Sequence, residues 1–358
     1  MRRKERYVTK WALIGFAGTA GVDILLQWLE HLLDKKPFTL ESYNGKRTLK
    51  NAFIGGTIGA GVGYLAYQAK LSEEAKHPFN SDEYLKKVLS EENLKSDLFL
   101  LKKYLSYKAE IKEWLNRKFE SRLVCKAEDA GSFFKRTAIA SNTDLDIVLA
   151  FRNNSYSTLE EMYYHVYDCL QAQFGEKAIV TKQTKAIGLT FEYNGLPIHF
   201  DIVPGREVGD YKVTKELNLY VRPDWAWQKG SSFKTNIGVQ KTITVNKPEA
   251  RRVIKLLKTY KVRNGIELPS VIIDQCVVES LSDSRFGVHF SDTENLLNSM
   301  NFIARKIQQS SYSDTANSNN NLNSKLSSTQ RYYLAEQLYN DVERIEENPR
   351  YIKEIFTQ

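Results

Sequence analysis

The sequence predicts an α+β protein in which a mixed sheet packs against a helical lobe, with an N-terminal helical hairpin ahead of both. Three observations carry this expectation. Residues 145–151 form a β-branched and apolar run of strand character. Residues 189–193 and 196–203 are two more strand-like runs, joined by Asn194-Gly195, the strongest short hairpin signal. Apolar residues recur at helical spacing over residues 81–124 (Leu98, Leu101, Leu105, Ile111, Leu115, Phe119) and again over 331–356 (Tyr333, Leu334, Leu338, Val342, Ile345).

Composition bounds the function classes. At 358 residues the chain has room for more than one unit, and 42% hydrophobic against 26% charged residues excludes general disorder. Three widely spaced cysteines, Cys125, Cys169 and Cys276, build neither a disulfide framework nor a four-ligand zinc site, which points to a reducing compartment. Cys169 and Cys276 lie in apolar helical contexts and are expected as buried thiols. A net charge of +8 favours an anionic partner, whether nucleotide, nucleic acid or lipid headgroup.

Along the chain, five segments are expected: a hairpin over 1–75, a sheet domain with a leading long helix over 76–215, a helical lobe over 216–308, a flexible Ser/Asn-rich segment over 309–330, and C-terminal helices over 331–358. The hairpin opens with Arg2, Arg3, Lys4, Arg6 and Lys10 before an apolar run to Val22. Asp23 and the amphipathic continuation Leu25, Leu26, Trp28, Leu29 and Leu32 argue for a persistent helix rather than a cleaved signal peptide. Residues 51–69 carry no charge, a bilayer's length, with Gly55, Gly59 and Gly63 on one helical face. Membrane contact through residues 11–69 is one reading, and a soluble Gly-rich packing helix is the other. The order G-x-G-x-x-G is absent and no strand precedes the glycines, which removes a dinucleotide fingerprint.

The chemistry concentrates in GSFFKRTAIASNTDLDIVLAF, residues 131–151. On a strand Asp144 and Asp146 share one face, where two carboxylates repel unless a divalent cation sits between them. Gly131-Ser132 offers close backbone approach and a hydroxyl, with Lys135, Arg136 and Thr137 behind, as a polyphosphate loop requires. A lone D-x-D is ordinarily a solvated edge strand. Asp201, in HFDIV, supplies a third acid: it shares a face with His199 and Val203, while Ile198, Phe200 and Ile202 take the other. Meeting Asp144 and Asp146 across adjacent strands, it completes a three-carboxylate site for two Mg²⁺ or Mn²⁺ ions, with Asp201 as base or bridging ligand.

Downstream, Arg251, Lys255 and Lys258 make a cationic stripe opposite Val253, Leu256, Leu257 and Tyr260, a pattern that a solvated helix face also produces. Pro269 is read at the first position of the next helix, placing the Ser270 hydroxyl at an anion-favouring N-terminus. His165 reads as an ordinary surface or interface residue on an amphipathic helix, and the metal chemistry does not require His199.

Gly131-Ser132, Asp144-x-Asp146 and Asp201 resemble the pattern of the DNA polymerase β-like nucleotidyltransferase superfamily. GSFFKRTAIASNTDLDIV is most similar to the branch of oligoadenylate synthetase, cyclic GMP-AMP synthase and the bacterial cGAS/DncV-like enzymes of antiphage defence. EARRVIKLLKTYKVRNGIELPSVIIDQCVVESL, residues 249–281, resembles their helical second lobe, and together the likeness covers roughly residues 97–305. It implies a polymerase β-like nucleotidyltransferase palm whose leading helix braces both lobes. Asp144, Asp146 and Asp201 become catalytic and metal-binding residues, and Gly131, Ser132, Lys258 and Ser270 triphosphate contacts, with Lys255 beside them. Val271 departs from the pattern, since relatives often carry a base-stacking aromatic there. Tyr220, Trp225 and Trp227 are substitutes, though each also fits ordinary packing.

The implied function is template-independent synthesis of a cyclic or short linear nucleotide signal from NTPs or dNTPs, activating a downstream effector protein. The catalytic domain is expected in the cytoplasm, and on the membrane reading of residues 11–69 it is tethered to the inner membrane. Competing readings are a terminal or primer-independent polymerase, with nucleic acid as product or acceptor; a nucleotidyltransferase that modifies a protein or small molecule; and a membrane scaffold or effector switched by nucleotide binding.

Overall fold

The computed structural model describes residues 3–33, 39, 43–76, 79–94, 98–223, 225, 228–283 and 287–357. It divides into two units, Met1–Asn80 with Glu346–Pro349, and Ser81–Ile345 with Arg350–Gln358.

The first unit is built on two helices, α1 (Arg3–Leu33) and α2 (Gly45–Lys76), packed along each other. Glycine permits the contact: a Cβ on Gly15 would collide with the Gly55 carbonyl, and one on Gly59 with that of Trp11. Among the described residues, length and apolarity sufficient to cross a membrane belong to Val8–Leu29 in α1 and not to the charge-free run 51–69 in α2. The five glycines of that run dilute its hydrophobicity while keeping it free of charge.

The second unit begins with α3 (Ser81–Glu91) and α4 (Leu98–Lys118), then β1 (Glu128–Asp129), α5 (Gly131–Phe134), β2 (Asp144–Phe151) and α6 (Leu159–Phe174). It continues through β3 (Ala178–Lys182), β4 (Ile187–Tyr193), β5 (Leu196–Glu207), α7 (Tyr211–Thr214), β6 (Glu216–Val221) and β7 (Ser231–Asn236). The sheet order is β1-β2-β5-β4-β3, with β6 pairing both β5 and β7. The β2–β5 ladder is parallel and the others antiparallel, so the sheet is mixed. One face buries Leu145, Ile147, Leu149, Phe191, Phe200 and Ile202 under α4 and α6, whose Ile111, Leu115, Met162, Val166 and Leu170 complete the core. Alternation sends Val148, Ala150, Leu217 and Leu219 to a smaller cluster with Tyr211 and Ile237.

The helical lobe follows: α8 (Ile237–Thr242), α9 (Pro248–Arg263), α10 (Ser270–Ser282), α11 (Asp292–Gln308), β8 (Ser313–Asp314), β9 (Asn317–Asn321), α12 (Ser328–Glu347) and α13 (Ile352–Phe356). Its central helix is α9, with Val253, Ile254, Leu256, Leu257 and Tyr260 buried. The Tyr260 hydroxyl donates to Asp341 of α12 at 2.6 Å.

Two expectations are corrected. The single long helix over 81–124 is two helices. Glu92 lies between them, almost fully buried, accepting from the Ser141 amide at 3.0 Å and from Arg263 at 3.3 Å, so α3 docks on α9 and α11 while α4 covers the sheet. The Ser/Asn-rich segment 309–330, expected to be flexible, is folded. Its amides do the work of missing apolar residues: Asn321 accepts from the Tyr312 and Asn323 amides, both at 3.0 Å, and Asn323 Nδ2 donates to the Lys306 and Gln309 carbonyls, both at 2.9 Å. Tyr312, Ala316, Leu322 and Leu326 are buried beneath them.

Asp82 of α3 ties the lobe together by accepting from the Thr293 amide and hydroxyl (2.8 and 2.6 Å) and from Ser291 Oγ (3.0 Å) at the start of α11. Burial opposes its ionisation, but the Thr293 and Ser291 hydrogen bonds outweigh burial and hold the carboxyl below its ordinary value. Asp82→Ala should therefore destabilise the protein by about 1–3 kcal/mol at neutral pH in denaturant titrations. A folded carboxyl below its unfolded value stabilises above that unfolded value, so the gap between wild type and variant should close as pH falls below about 4.

Candidate active site

The site grows from the parallel ladder, which sets Asp144 opposite His199 and Asp146 opposite Asp201. Leu145, Ile147, Phe200 and Ile202 are anchored in the core on one face, so the three carboxylates emerge together on the other. Directly against them, α5 begins at Gly131 with φ of +63°, and the Ala130 amide donates to the Asp146 carbonyl at 3.0 Å. A Cβ at Gly131 would occupy the space of the Asp146 carboxylate, so glycine is required by both the backbone and the neighbour.

Asp144, Asp146 and Asp201 line a cleft of about 280 Å³ together with Ser132, Lys135, Lys258, Ser270 and Asp274. Of the residues singled out from sequence, Asp144, Asp146, Asp201, Ser132, Lys258 and Ser270 thus share one cavity, with Gly131 packed behind Asp146. The cationic stripe divides. Lys258 enters the cleft, the Arg251 Nε donates to the Thr244 carbonyl at 3.0 Å, and Lys255 lines a different depression beside Phe133 and Phe134. Pro269 occupies the capping position rather than the first helical one, and α10 starts at Ser270 itself.

Charge in the cleft is unevenly compensated. Desolvation, then Asp201 and Asp144, push the Asp146 carboxyl up to about 7 against the opposing pull of Lys135 and Lys258. Asp144 is raised by desolvation and by Asp201. Asp201 has its own partners: Gln183 Nε2 donates to its Oδ1 at 2.7 Å, and His199 Nε2 lies 3.0 Å from the same oxygen. His199 Nδ1 is 2.7 Å from Thr190 Oγ1, and the Asp201 hydrogen bond raises the imidazole pKa. Among the described residues, no cluster of three or more His, Cys, Asp or Glu side chains stands as a ready metal cage. The donor set nevertheless fits a divalent cation, since the hard carboxylate oxygens of Asp144, Asp146 and Asp201 line one cavity.

On the facing wall, fully buried Asp274 of α10 forms an ion pair with Lys135 and lies 3.4 Å from Lys258 Nζ, which also contacts Thr137 Oγ1 at 3.3 Å. Burial lowers the Lys258 pKa, while the Asp274 carboxyl, despite its own burial, is held down by Lys258 and Lys135. Two ammonium groups are therefore presented to the cleft on a single acid.

Sequence reasoning missed Asp274, Gln183 and the contribution of Asp314 and Thr315 from the Ser/Asn-rich segment. A signal existed for Asp274, an acid four residues after Ser270 inside the apolar run VIIDQCVV. None existed for Gln183, which reaches Asp201 only because β3 and β4 fold beside β5. Tyr220 is core, its hydroxyl donating to Glu160 at 2.8 Å; Trp225 is exposed away from the cleft, and Trp227 lies outside the described residues. His165 is an exposed residue of α6 whose ring touches those of Phe119 and Tyr156. Cys276 is a buried thiol pushed up to about 12 by burial, whereas Cys169 is only partly covered.

No protein-family model and no curated protein matches this chain. Solved structures do match. CdnC of E. coli MS115-1 with ATP aligns at TM-score 0.60 and 15% identity, over 77% of this chain and 98% of that one. The Bradyrhizobium diazoefficiens CD-NTase CdnG in complex with GTP aligns at 0.60 and 15%, over 78% and 98%. The Elizabethkingia meningoseptica CdnE cyclic dinucleotide synthase with GTP and Apcpp aligns at 0.53 and 16%, over 73% and 98%. The fold is that of the CD-NTases, a nucleotidyltransferase palm with a helical lobe. Nearly a quarter of this chain has no counterpart in CdnC or CdnG, a share the size of the N-terminal unit.

Removing the shared counter-ion should expose the tension in the cleft. Asp274→Ala leaves two lysines without their buried acid and should cost about 3–5 kcal/mol in thermal or denaturant unfolding. Because a polyanion supplies replacement charge, added inorganic triphosphate should raise the Tm of the variant more than that of wild type. Gly131→Ala should also unfold more easily, by about 1–3 kcal/mol, from strain at positive φ and collision with Asp146.

Proposed function

We propose that this chain is a metal-dependent, template-independent nucleotidyltransferase that makes a cyclic or short linear nucleotide signal from NTPs in bacterial antiphage defence, the signal being read by a separate effector protein. One observation carries the reading: three carboxylates on neighbouring parallel strands line the same cleft as Lys135, Lys258 and Ser270. The bound ATP and GTP of CdnC and CdnG support NTPs as substrates. Three free thiols and the need for NTPs support a cytoplasmic catalytic unit.

Asp144, Asp146 and Asp201 are the residues to hold Mg²⁺ or Mn²⁺, as one or two ions. When bound there, the metal supplies positive charge to the phosphates and lowers the pKa of the attacking hydroxyl. The chain's own groups do the rest. Lys135 and Lys258 take the triphosphate charge, and Ser270 adds a hydroxyl at the start of α10. A ribose hydroxyl oxygen attacks the α-phosphorus of a second nucleotide, the bond to the β-phosphate oxygen breaks, and pyrophosphate leaves. Asp201 is placed to receive the hydroxyl proton, and Gln183 and His199 hold its Oδ1 so that Oδ2 is the oxygen available for the task.

Incubating the purified chain with each α-labelled NTP and dNTP plus Mg²⁺ or Mn²⁺ should give a short product that resists phosphatase if cyclic, together with pyrophosphate. The double variant Asp144→Ala, Asp146→Ala should lose at least about 10³-fold in rate, the several kcal/mol of charge stabilisation such ligands anchor. Turnover retained by that variant would refute the site. A long ladder on a denaturing gel, or label transferred to an added acceptor, would replace signal synthesis with polymerisation or with modification.

A further inference from the structure

The α1–α2 hairpin is built inside out for a soluble protein. Its buried residues are small or polar: Ala52 is 1% exposed, and Asp23, Gln27 and Thr48, hydrogen-bonded among themselves, are each at most 5% exposed. Thr48 Oγ1 and Gln27 Nε2 both donate to Asp23 Oδ2 at 2.6 Å, Asn51 Nδ2 donates to Asp23 Oδ1 at 2.7 Å, and Arg47 Nε lies 3.0 Å from the same oxygen. Its exterior is apolar. Leu13, Ile14, Phe53, Ile58 and Leu65 are each at least 50% exposed, and the hairpin holds more than half of all exposed large apolar side chains among the described residues. In water the hydrophobic effect arranges a helix pair the other way round.

We propose that this hairpin is a membrane anchor whose partner is the lipid bilayer. Four features of the hairpin select lipid over a second copy of the chain. At about 100° per residue, Leu13, Ile14, Val22, Leu25 and Leu26 leave α1 over more than half its circumference, whereas a helical dimer seam uses a stripe. Val8–Leu29 spans 22 residues, about 33 Å at 1.5 Å per residue, against a hydrocarbon core of about 30 Å. The helices meet through Gly15, Gly55 and Gly59, the small-residue contact that packs helices where lipid removes any hydrophobic drive between them. Cations bracket the apolar stretch, Lys10 at one end and Lys46, Arg47 and Lys50 at the other, suited to anionic headgroups. The Asp23 cluster lies toward the second end, about 9 Å along the helix from Leu29 at 1.5 Å per residue, and its carboxylate is paired there with Arg47. With lipid as its surroundings, α2 enters as the partner of α1, although it does not qualify as a span alone.

The anchor is tested independently of any catalytic reading by expressing the full chain and separating membranes from cytosol. The protein is expected in the membrane fraction, resistant to alkaline carbonate and high salt, and, purified in detergent, it should float with vesicles of phosphatidylethanolamine and phosphatidylglycerol. The variant Ile14→Lys, Ile58→Lys places charge on two outward positions that a soluble hairpin tolerates without loss of folding. It is expected to fall at least about tenfold in the carbonate-resistant fraction while its helical circular dichroism in detergent is unchanged. A full chain that stays in the supernatant without detergent, as a monomer or as a self-assembled oligomer, overturns the proposal, as does equal membrane recovery of the lysine variant.

Discussion

Two carboxylates held side by side across a parallel strand pair, Asp146 on β2 and Asp201 on β5, are the constraint on which the rest of this site depends. Their repulsion is not relieved by distance, because the register is locked by Leu145, Ile147, Phe200 and Ile202 on the opposite face. A one-residue slip would carry the acids into the core and the apolar residues out, so the stability of the sheet and the placement of the charges are one property. Burial first, and then that proximity, push the Asp146 carboxyl up to about 7.

Around this core of negative charge the fold arranges compensation in two tiers. Gln183, His199 and Thr190 form a hydrogen-bonded chain behind Asp201, all from the strands and turn that complete the sheet. Across the cleft, Lys135 and Lys258 come from different lobes and share Asp274, so the wall sets two ammonium groups against one buried carboxylate. The Ser/Asn-rich hairpin β8–β9 is fastened to α10 through Gln275, which donates to the Ser313 carbonyl at 2.8 Å and accepts from the Thr315 amide at 3.0 Å. It therefore forms part of the cleft wall.

The two units obey opposite rules of burial. In the second, apolar side chains fill the interior and charges line a cleft. In the first, glycine and hydrogen-bonded polar groups fill the interior and apolar side chains face outward. The difference falls at the boundary near residue 80, and the proposed lipid anchor rests on it.

How much of this was legible in advance follows from whether the signal is local. Strand alternation in DLDIV and HFDIV, the Asn194-Gly195 turn, and helical spacing through α9 and α10 are properties of consecutive residues, so the faces of Asp144, Asp146 and Asp201 were readable from the sequence, as was the α+β class. The break between α3 and α4 was not, because periodicity continues across it and only the burial of Glu92 between partners from residues 141 and 263 reveals it. The order of the Ser/Asn-rich segment was hidden for a related reason: composition reports missing hydrophobicity, while its asparagines act through specific bonds to carbonyls that tertiary packing brings within reach. Composition likewise registered the glycines of α2 but not what faced them. The sequence by itself determined which residues carry charge and which way each points from its own strand or helix. Only the tertiary structure decided which charges meet, because repulsion, ion pairing and burial depend on distances between segments, such as Lys135 and Asp274, that no local pattern encodes.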